Sequence, residues 1–249
     1  MQRKLFLSGI LISIPLCFLL LWFSNIHCHW SDPAYKERIW LHRANTPQKL
    51  MEFADEYNGF ECDVTLRDDS VFDITHDLHV SYGISAESYF QLLQGNHRRI
   101  WFDFKNLSVH NMAVALTRLE NWCYEYGIAK DRFIIEGKDP VALGFFRKAG
   151  FYTSYYIRDV DLQDLTPAET EALGQRLNQI AESGQVDALS FYSRYYDIVK
   201  QVVTPSVDLL TWAHNQGKEM LSILPRRRRL FQDPQVKVIL VKDKGHYHK

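Results

Sequence analysis

Residues 39 to 77, IWLHRANTPQKLMEFADEYNGFECDVTLRDDSVFDITHD, carry His42-Arg43, then Glu61-Cys62-Asp63-Val64, then His76-Asp77. A second polar group follows in Trp101-Phe102-Asp103-Phe104-Lys105, and Glu136 closes the run RFIIE. Residues two apart on a strand share a face. Glu61 and Asp63 should therefore project together, as should Asp103 and Lys105, with the aromatics of that run on the other face. Carboxylates turned toward covering helices would be buried without partners at high cost, so their expected place is a polar interior. Three hard oxygen ligands meeting in such a pocket suit Mg²⁺ or Ca²⁺. Histidines beside the ion suit proton transfer near neutral pH. Cleavage of a phosphodiester uses both. The cation and Lys105 offset charge on the equatorial oxygens, and an imidazole protonates the departing oxygen.

These groups must be held by regular elements, and apolar runs of two periods alternate along the chain. Arg38 to Leu41 reads as a short strand ending at His42. Thr46 can cap a helix with Pro47 in its first turn, and Leu50, Phe53, Ala54 and Tyr57 follow at helical spacing until Asn58-Gly59. Phe60 to Leu66 reads as a strand, Arg67 to Ser70 as a turn, and Val71 to Thr75 as a returning hairpin arm. Helices are expected from Ser85 to Leu93, Ser108 to Tyr126, Pro140 to Lys148, Thr166 to about Ser183, and Tyr195 to Val203. Strands are expected at Arg99 to Phe104, from Arg132, at Tyr152 to Ile157, Ala188 to Phe191 and Asp208 to Trp212, and from Val236. Eight strands alternating with helices predict an α/β fold, a (β/α)8 TIM-type barrel with its chemistry at the C-terminal strand ends. A doubly wound open sheet is the alternative, but no Gly-rich phosphate loop follows any strand. There is no internal repeat or low-complexity tract.

Composition narrows the classes. The chain has 249 residues, 46% hydrophobic and 24% charged, which suits a globular protein. Lys+Arg number 29 against 30 Asp+Glu, so nothing in the charge points to nucleic acid. The four cysteines (Cys17, Cys28, Cys62, Cys123) show no zinc spacing, and Cys62 and Cys123 read as small buried hydrophobes. Arg3 and Lys4 precede an uncharged stretch from Leu5 to Phe23. That is close to the ~20 residues that span a bilayer, and SNIHCHW after it makes a poor cleavage site. Residues 1–30 are therefore expected to form an N-terminal transmembrane helix, with a cleaved signal as the alternative. Residues 31–249 form the globular domain. The basic flank places that domain on the extracytoplasmic side, periplasmic or extracellular.

His42-Arg43, Glu61-x-Asp63, a turn with acidic residues, and His76-Asp77 resemble the signature of glycerophosphodiester phosphodiesterases. Asp103-Phe104-Lys105 is similar to that family's acidic-x-Lys element on the third strand. Trp212 is like its tryptophan before the last strand. The resemblance implies a (β/α)8 barrel and a metal held by Glu61, Asp63 and Asp103. It implies His42 and His76 as the acid/base pair, with Arg43 and Lys105 on the substrate phosphate. The chain departs from the pattern in having Ala44 where Gly is usual and Asp103 where Glu is usual. It also lacks a bulky insertion before the third strand, and this short form is similar to sphingomyelinase D-like phospholipases.

The implied function is metal-dependent hydrolysis of glycerophosphodiesters or lysophospholipid head groups. The alternatives are an inactive barrel that binds a phosphorylated or sugar ligand at the envelope, and an assembly protein whose carboxylates satisfy each other. Glu136 is read either as a site residue or as the partner of a nearby Arg or Lys. Asp77 is read as orienting the hairpin or a histidine. Arg226 to Arg229 are a solvated run or a membrane-facing or phosphate-collecting patch. Tyr155-Tyr156 and Tyr192 to Tyr196 are core or rim, with one or two as candidates to line a substrate cleft, and His246-Tyr247-His248 a loose tail.

Overall fold

The structure, a computed structural model, describes residues 37–157, 161–162, 164–213, 229–243 and 246. The expected membrane anchor, the linker up to residue 36, Arg226 to Arg228, Tyr247 and His248 lie outside the described residues. Contacts divide the chain into two units, Met1–Arg38 and Ile39–Lys249, and the second contains every strand and helix of the described residues.

A three-residue strand, β1 (Ile39–Leu41), closes a ring. It pairs in parallel with β9 (Val236–Val241) on one side and with β2 (Gly59–Leu66) on the other. From β2 the ring continues through β4 (Arg99–Phe104), β5 (Phe133–Gly137), β6 (Tyr152–Tyr156), β7 (Ala188–Tyr192) and β8 (Asp208–Trp212) to β9. Every neighbour in this ring is parallel. Eight strands thus form a closed TIM-type barrel, and the open-sheet alternative is excluded. The hairpin arm β3 (Phe72–Ile74) stands outside the ring, antiparallel to β2 from Val64 to Leu66. It has a physical reason to be there. β1 reaches β2 only at Phe60, so the edge of β2 beyond that point needs other partners. The Ala44 and Thr75 N–H groups donate to the Glu61 and Asp63 carbonyls at 2.7 and 3.0 Å, and β3 takes the rest.

Helices follow the strands as the periodicity predicts: α1 (Pro47–Glu52), α2 (Glu87–Leu93), α3 (Met112–Glu125), α4 (Pro140–Lys148), α5 (Pro167–Glu182) and α6 (Tyr196–Val202). α1 is shorter than expected. It ends at Glu52, and turns carry the chain to Tyr57, although Phe53 stays buried and packs edge-on to Tyr57. α3 starts four residues late, because Asn111 and Asn106 tie the Asn106–Asn111 loop to itself and to Leu66. α5 begins with a reciprocal Thr166–Glu169 capping box. Among the described residues no helix is long and apolar enough to cross a membrane.

Alternation along the strands makes two cores. Phe60, Cys62, Phe102, Phe104 and Ile135 point outward into the layer under the helices. Trp40, Trp101, Ile134, Leu210 and Val238 fill the lumen as a separate cluster. Gly59 is part of that floor, because a Cβ there would lie 2.2 Å from the Trp40 ring. The floor raises the next lumen layer, Asp63, Asp103, Glu136 and Ser154 in mutual register, toward the C-terminal mouth.

Candidate functional site

β2 is buried along its whole length, so its two lumen carboxylates are withdrawn from water: Glu61 is 2% exposed and Asp63 1%. Asp103, beside Asp63 on β4, is less covered. Oxygen atoms from Glu61, Asp63 and Asp103 all lie within 4.8 Å of one another, so these three residues could hold a metal ion. Lys105, two residues on from Asp103, places its Nζ 2.6 Å from Asp63 Oδ1 and in contact with Asp103 Oδ2. Glu61 is not so compensated. Its Oε2 accepts the Arg43 N–H at 2.7 Å and lies 3.6 Å from His42 Nε2. Its Oε1 is buried with no hydrogen-bond partner.

The charges order the protonation states. Burial, then Asp63 and Asp103, push Glu61 well above the usual carboxylate range. Burial acts upward on Asp63 too, but Lys105 and Asn45 outweigh it and hold Asp63 low. Asp103 is raised by burial, against the pull of Lys105 and with the push of Asp63. Burial works against the charge on Lys105, yet Asp103, Asp63 and Glu61 keep its pKa above the ordinary value. Three carboxylates thus face one ammonium, and Glu61, which has the least compensation, is the acid that ionises least readily until a cation is present. A divalent cation fits that donor set: hard oxygens, net negative charge, and one buried oxygen without a partner.

The histidines and Arg43 occupy the rim of this group. His42 is buried directly after β1, beside Glu61. His76 follows β3 and is exposed. Partial shielding of its imidazole from water lowers its pKa, with Asp63 pulling the other way. Arg43 Nε lies 3.9 Å from Asp63 Oδ2. The structure therefore gathers His42, Arg43, Glu61, Asp63, Asp103 and Lys105 at one end of the barrel, with His76 within reach of their charges.

The remaining expectations meet mixed outcomes. Trp101 does not share a face with Phe102 and Phe104. It lies in the lumen below Asp103, as two-residue alternation requires, and its Nε1–H donates to Glu136 Oε2 at 3.0 Å. Glu136 is buried and accepts from Trp101 and from the Ser190 hydroxyl, so its hydrogen-bond partners are neutral groups rather than an Arg or Lys. Asp77 accepts the His79 N–H at 3.0 Å and organises its own turn, outside the acid cluster. Tyr156 stacks on Trp212 at 5.3 Å in the lumen, whereas Tyr155 joins the outer core. Arg229 pairs with Asp197. Of the terminal His246-Tyr247-His248, only His246 is among the described residues; it is exposed, and its Nδ1 lies 2.6 Å from Glu52. Cys62 and Cys123 are free and buried, as expected.

Asn45 is a site residue that the spacing does not reveal. Its amide donates to Asp63 Oδ2 at 2.7 Å, and its carbonyl oxygen accepts the Asp63 N–H at 3.0 Å. An amide two residues after His42-Arg43, in the turn facing β2, is the signal that could have found it.

No protein-family profile matches the chain, and no curated protein matches it. Solved structures do. A protein from Silicibacter pomeroyi DSS-3, assigned as a glycerophosphoryl diester phosphodiesterase, superposes with a TM-score of 0.58 at 15% identity, over 82% of this chain and 89% of that one. A glycerophosphodiester phosphodiesterase from Parabacteroides distasonis ATCC 8503 gives 0.56 at 17% identity, over 83% and 92%. One from Agrobacterium tumefaciens str. C58 gives 0.51 at 10% identity, over 82% and 95%. At these identities the likeness is one of fold: this chain is a closed (β/α)8 barrel of the kind found in solved glycerophosphodiester phosphodiesterases.

Proposed function

We propose that this protein is a metal-dependent phosphodiesterase acting on glycerophosphodiesters or lysophospholipid head groups. The observation that carries the reading is the buried, unpartnered Glu61 Oε1 beside the Asp63 and Asp103 carboxylates, in a barrel shared with solved phosphodiesterases. Glu61, Asp63 and Asp103 would hold Mg²⁺ or Ca²⁺. A bound divalent ion supplies charge stabilisation to the phosphoryl oxygens. Arg43 and Lys105 add positive charge at the same end and orient the phosphate. His76, whose lowered pKa keeps it neutral at physiological pH, accepts the proton of the attacking water or substrate hydroxyl. His42, beside Glu61, delivers a proton to the leaving oxygen. Attack by water gives hydrolysis, and attack by a neighbouring hydroxyl of the substrate gives a cyclic phosphate. We further propose that residues 1–30 anchor the barrel on the extracytoplasmic face, which protease accessibility in intact cells tests.

The assay uses the full-length chain in detergent with glycerophosphocholine and lysophosphatidylcholine, with Mg²⁺ or Ca²⁺ and with chelator. Expected is cation-dependent release that falls by roughly 10²–10⁴-fold in His42→Ala and Glu61→Ala. Release that persists with chelator and in both variants contradicts the reading. A second reading draws on Lys105, which already bonds two of the three acids. A barrel whose acids are satisfied in this way binds a phosphodiester without turnover, seen as ligand-induced stabilisation with no product.

A further inference from the structure

Lys49 lies in α1 and is completely buried, at 0% exposure. A lysine is almost never buried to this degree without specific partners. Its Nζ donates to the carbonyl oxygens of His42 at 3.1 Å and of Arg43 at 3.0 Å. The next carbonyl, that of Ala44, accepts from the Tyr89 hydroxyl at 2.5 Å. Three consecutive carbonyls of the loop after β1 are thus gripped from one side. From the other side, the Arg43 and Ala44 N–H groups donate to the Glu61 carboxylate and carbonyl, both at 2.7 Å. Between these grips Arg43 adopts φ 54, the left-handed region that side chains other than glycine avoid. Nothing in α1 requires a charge at this point, since a methionine would fill a similar volume. What the ammonium does is hold two carbonyls that the left-handed turn points inward.

We propose that Lys49 is a positioning residue: its buried ammonium fixes the left-handed Arg43 turn, and through that turn the aim of the His42 imidazole and the Arg43 guanidinium over the acid cluster. This rests on the phosphodiesterase reading for its kinetic consequence, but not for its structural one. Lys49 acts through the backbone of the turn rather than on the reacting atoms. Its burial, opposed chiefly by the Glu61 charge, brings its pKa down to about 8, so it is still largely cationic at neutral pH.

The test compares Lys49→Met and Lys49→Gln with the wild type, in the full-length chain. In Lys49→Met, kcat should fall by at least about 30-fold with KM within about threefold. The unfolding temperature should fall by only a few degrees, because the His42 and Arg43 carbonyls lose their donor while an apolar group of similar size keeps the packing. Lys49→Gln keeps amide donors and should recover part of kcat. The imidazole ¹⁵N resonances of His42 should shift or broaden in Lys49→Met, while those of His110 do not move. Wild-type kcat and unmoved His42 resonances in Lys49→Met overturn the proposal. A fall in kcat that only tracks a large loss of stability, without recovery in Lys49→Gln, overturns it too. Should Lys49→Met fail to fold, Lys49→Gln carries both comparisons. Should the wild type cleave no phosphodiester, the phosphodiesterase reading fails, and the His42 resonances alone decide the role of Lys49.

Discussion

Replacing Glu61 by Gln changes one charge and almost no volume, and its effect should reverse sign with the cation. In the metal-free protein Glu61 faces Asp63 and Asp103, whose oxygens lie within 4.8 Å, and the Lys105 ammonium. Two unit charges about 5 Å apart interact by roughly 3 kcal/mol at an effective dielectric of 20. The ammonium cancels about one of the two repulsions, leaving roughly 3 kcal/mol against an ionised Glu61, with burial adding to it. Gln removes that repulsion and keeps an oxygen for the Arg43 N–H. At pH 8 with chelator, Glu61→Gln should therefore be more stable than wild type by about 1–3 kcal/mol, a rise in Tm of about 3–10 °C for a domain of this size. With Mg²⁺ or Ca²⁺ the order should invert. One of three charged ligands is gone, and Kd for the ion should rise by about 10²–10³-fold, or about 3–4 kcal/mol. Thermal unfolding with and without cation, and calorimetric titration, measure the two halves. A Gln variant less stable than wild type in chelator, or one that binds the cation with wild-type affinity, would mean that Glu61 neither carries this repulsion nor ligates the ion.

The pH dependence has a definite sign. The raised pKa of Glu61 means the folded, metal-free protein keeps a proton that the unfolded chain releases near the ordinary value of 4.5. Its contribution to stability therefore falls as pH rises above 4.5, and a cation that needs the carboxylate ionised restores it. The Tm increase on adding Mg²⁺ should grow from about pH 5 to about pH 8; an increase that is flat or shrinks over that range contradicts this. Asn45→Ala removes both hydrogen bonds to buried Asp63 and should cost about 2–4 kcal/mol in denaturant unfolding. A loss under about 0.5 kcal/mol means the pair is not formed. Gly59→Ala drives a Cβ into the Trp40 ring and should cost at least about 2 kcal/mol, read as a Tm loss with altered tryptophan fluorescence. Unchanged spectra and Tm would mean that Trp40 does not pack on Gly59.

The barrel is legible in the sequence because its strands carry two-residue alternation and its helices a distinct period, several of them bounded by Pro, Gly or a capping residue. Glu61-x-Asp63 and Asp103-x-Lys105 are legible for the same reason, since alternation alone sends each pair to one side. Other features lie beyond local pattern. Phe53, Ala54 and Tyr57 keep helical spacing through turns that are not helix, so the spacing overstates α1. The aromatic character of Trp101 suggests the outer face, although its position two before Asp103 puts it in the lumen. Its partner Glu136 comes from the next strand and depends on register. Asn45 and Lys49 serve the site through a loop whose course turns on the left-handed φ of Arg43, and a non-glycine residue gives no warning of that. The His246–Glu52 contact joins residues 194 apart in sequence.

Glu61, Asp63 and Asp103 are expected jointly to bind one divalent cation at the mouth of the barrel. Crystals of the chain soaked in Mn²⁺, with data collected near the manganese edge, test it directly. The expected result is one anomalous peak bonded to oxygens of all three residues, with the Lys105 ammonium moved away from at least one of them. No peak at this site under saturating Mn²⁺, with Lys105 still bridging Asp63 and Asp103, would contradict it.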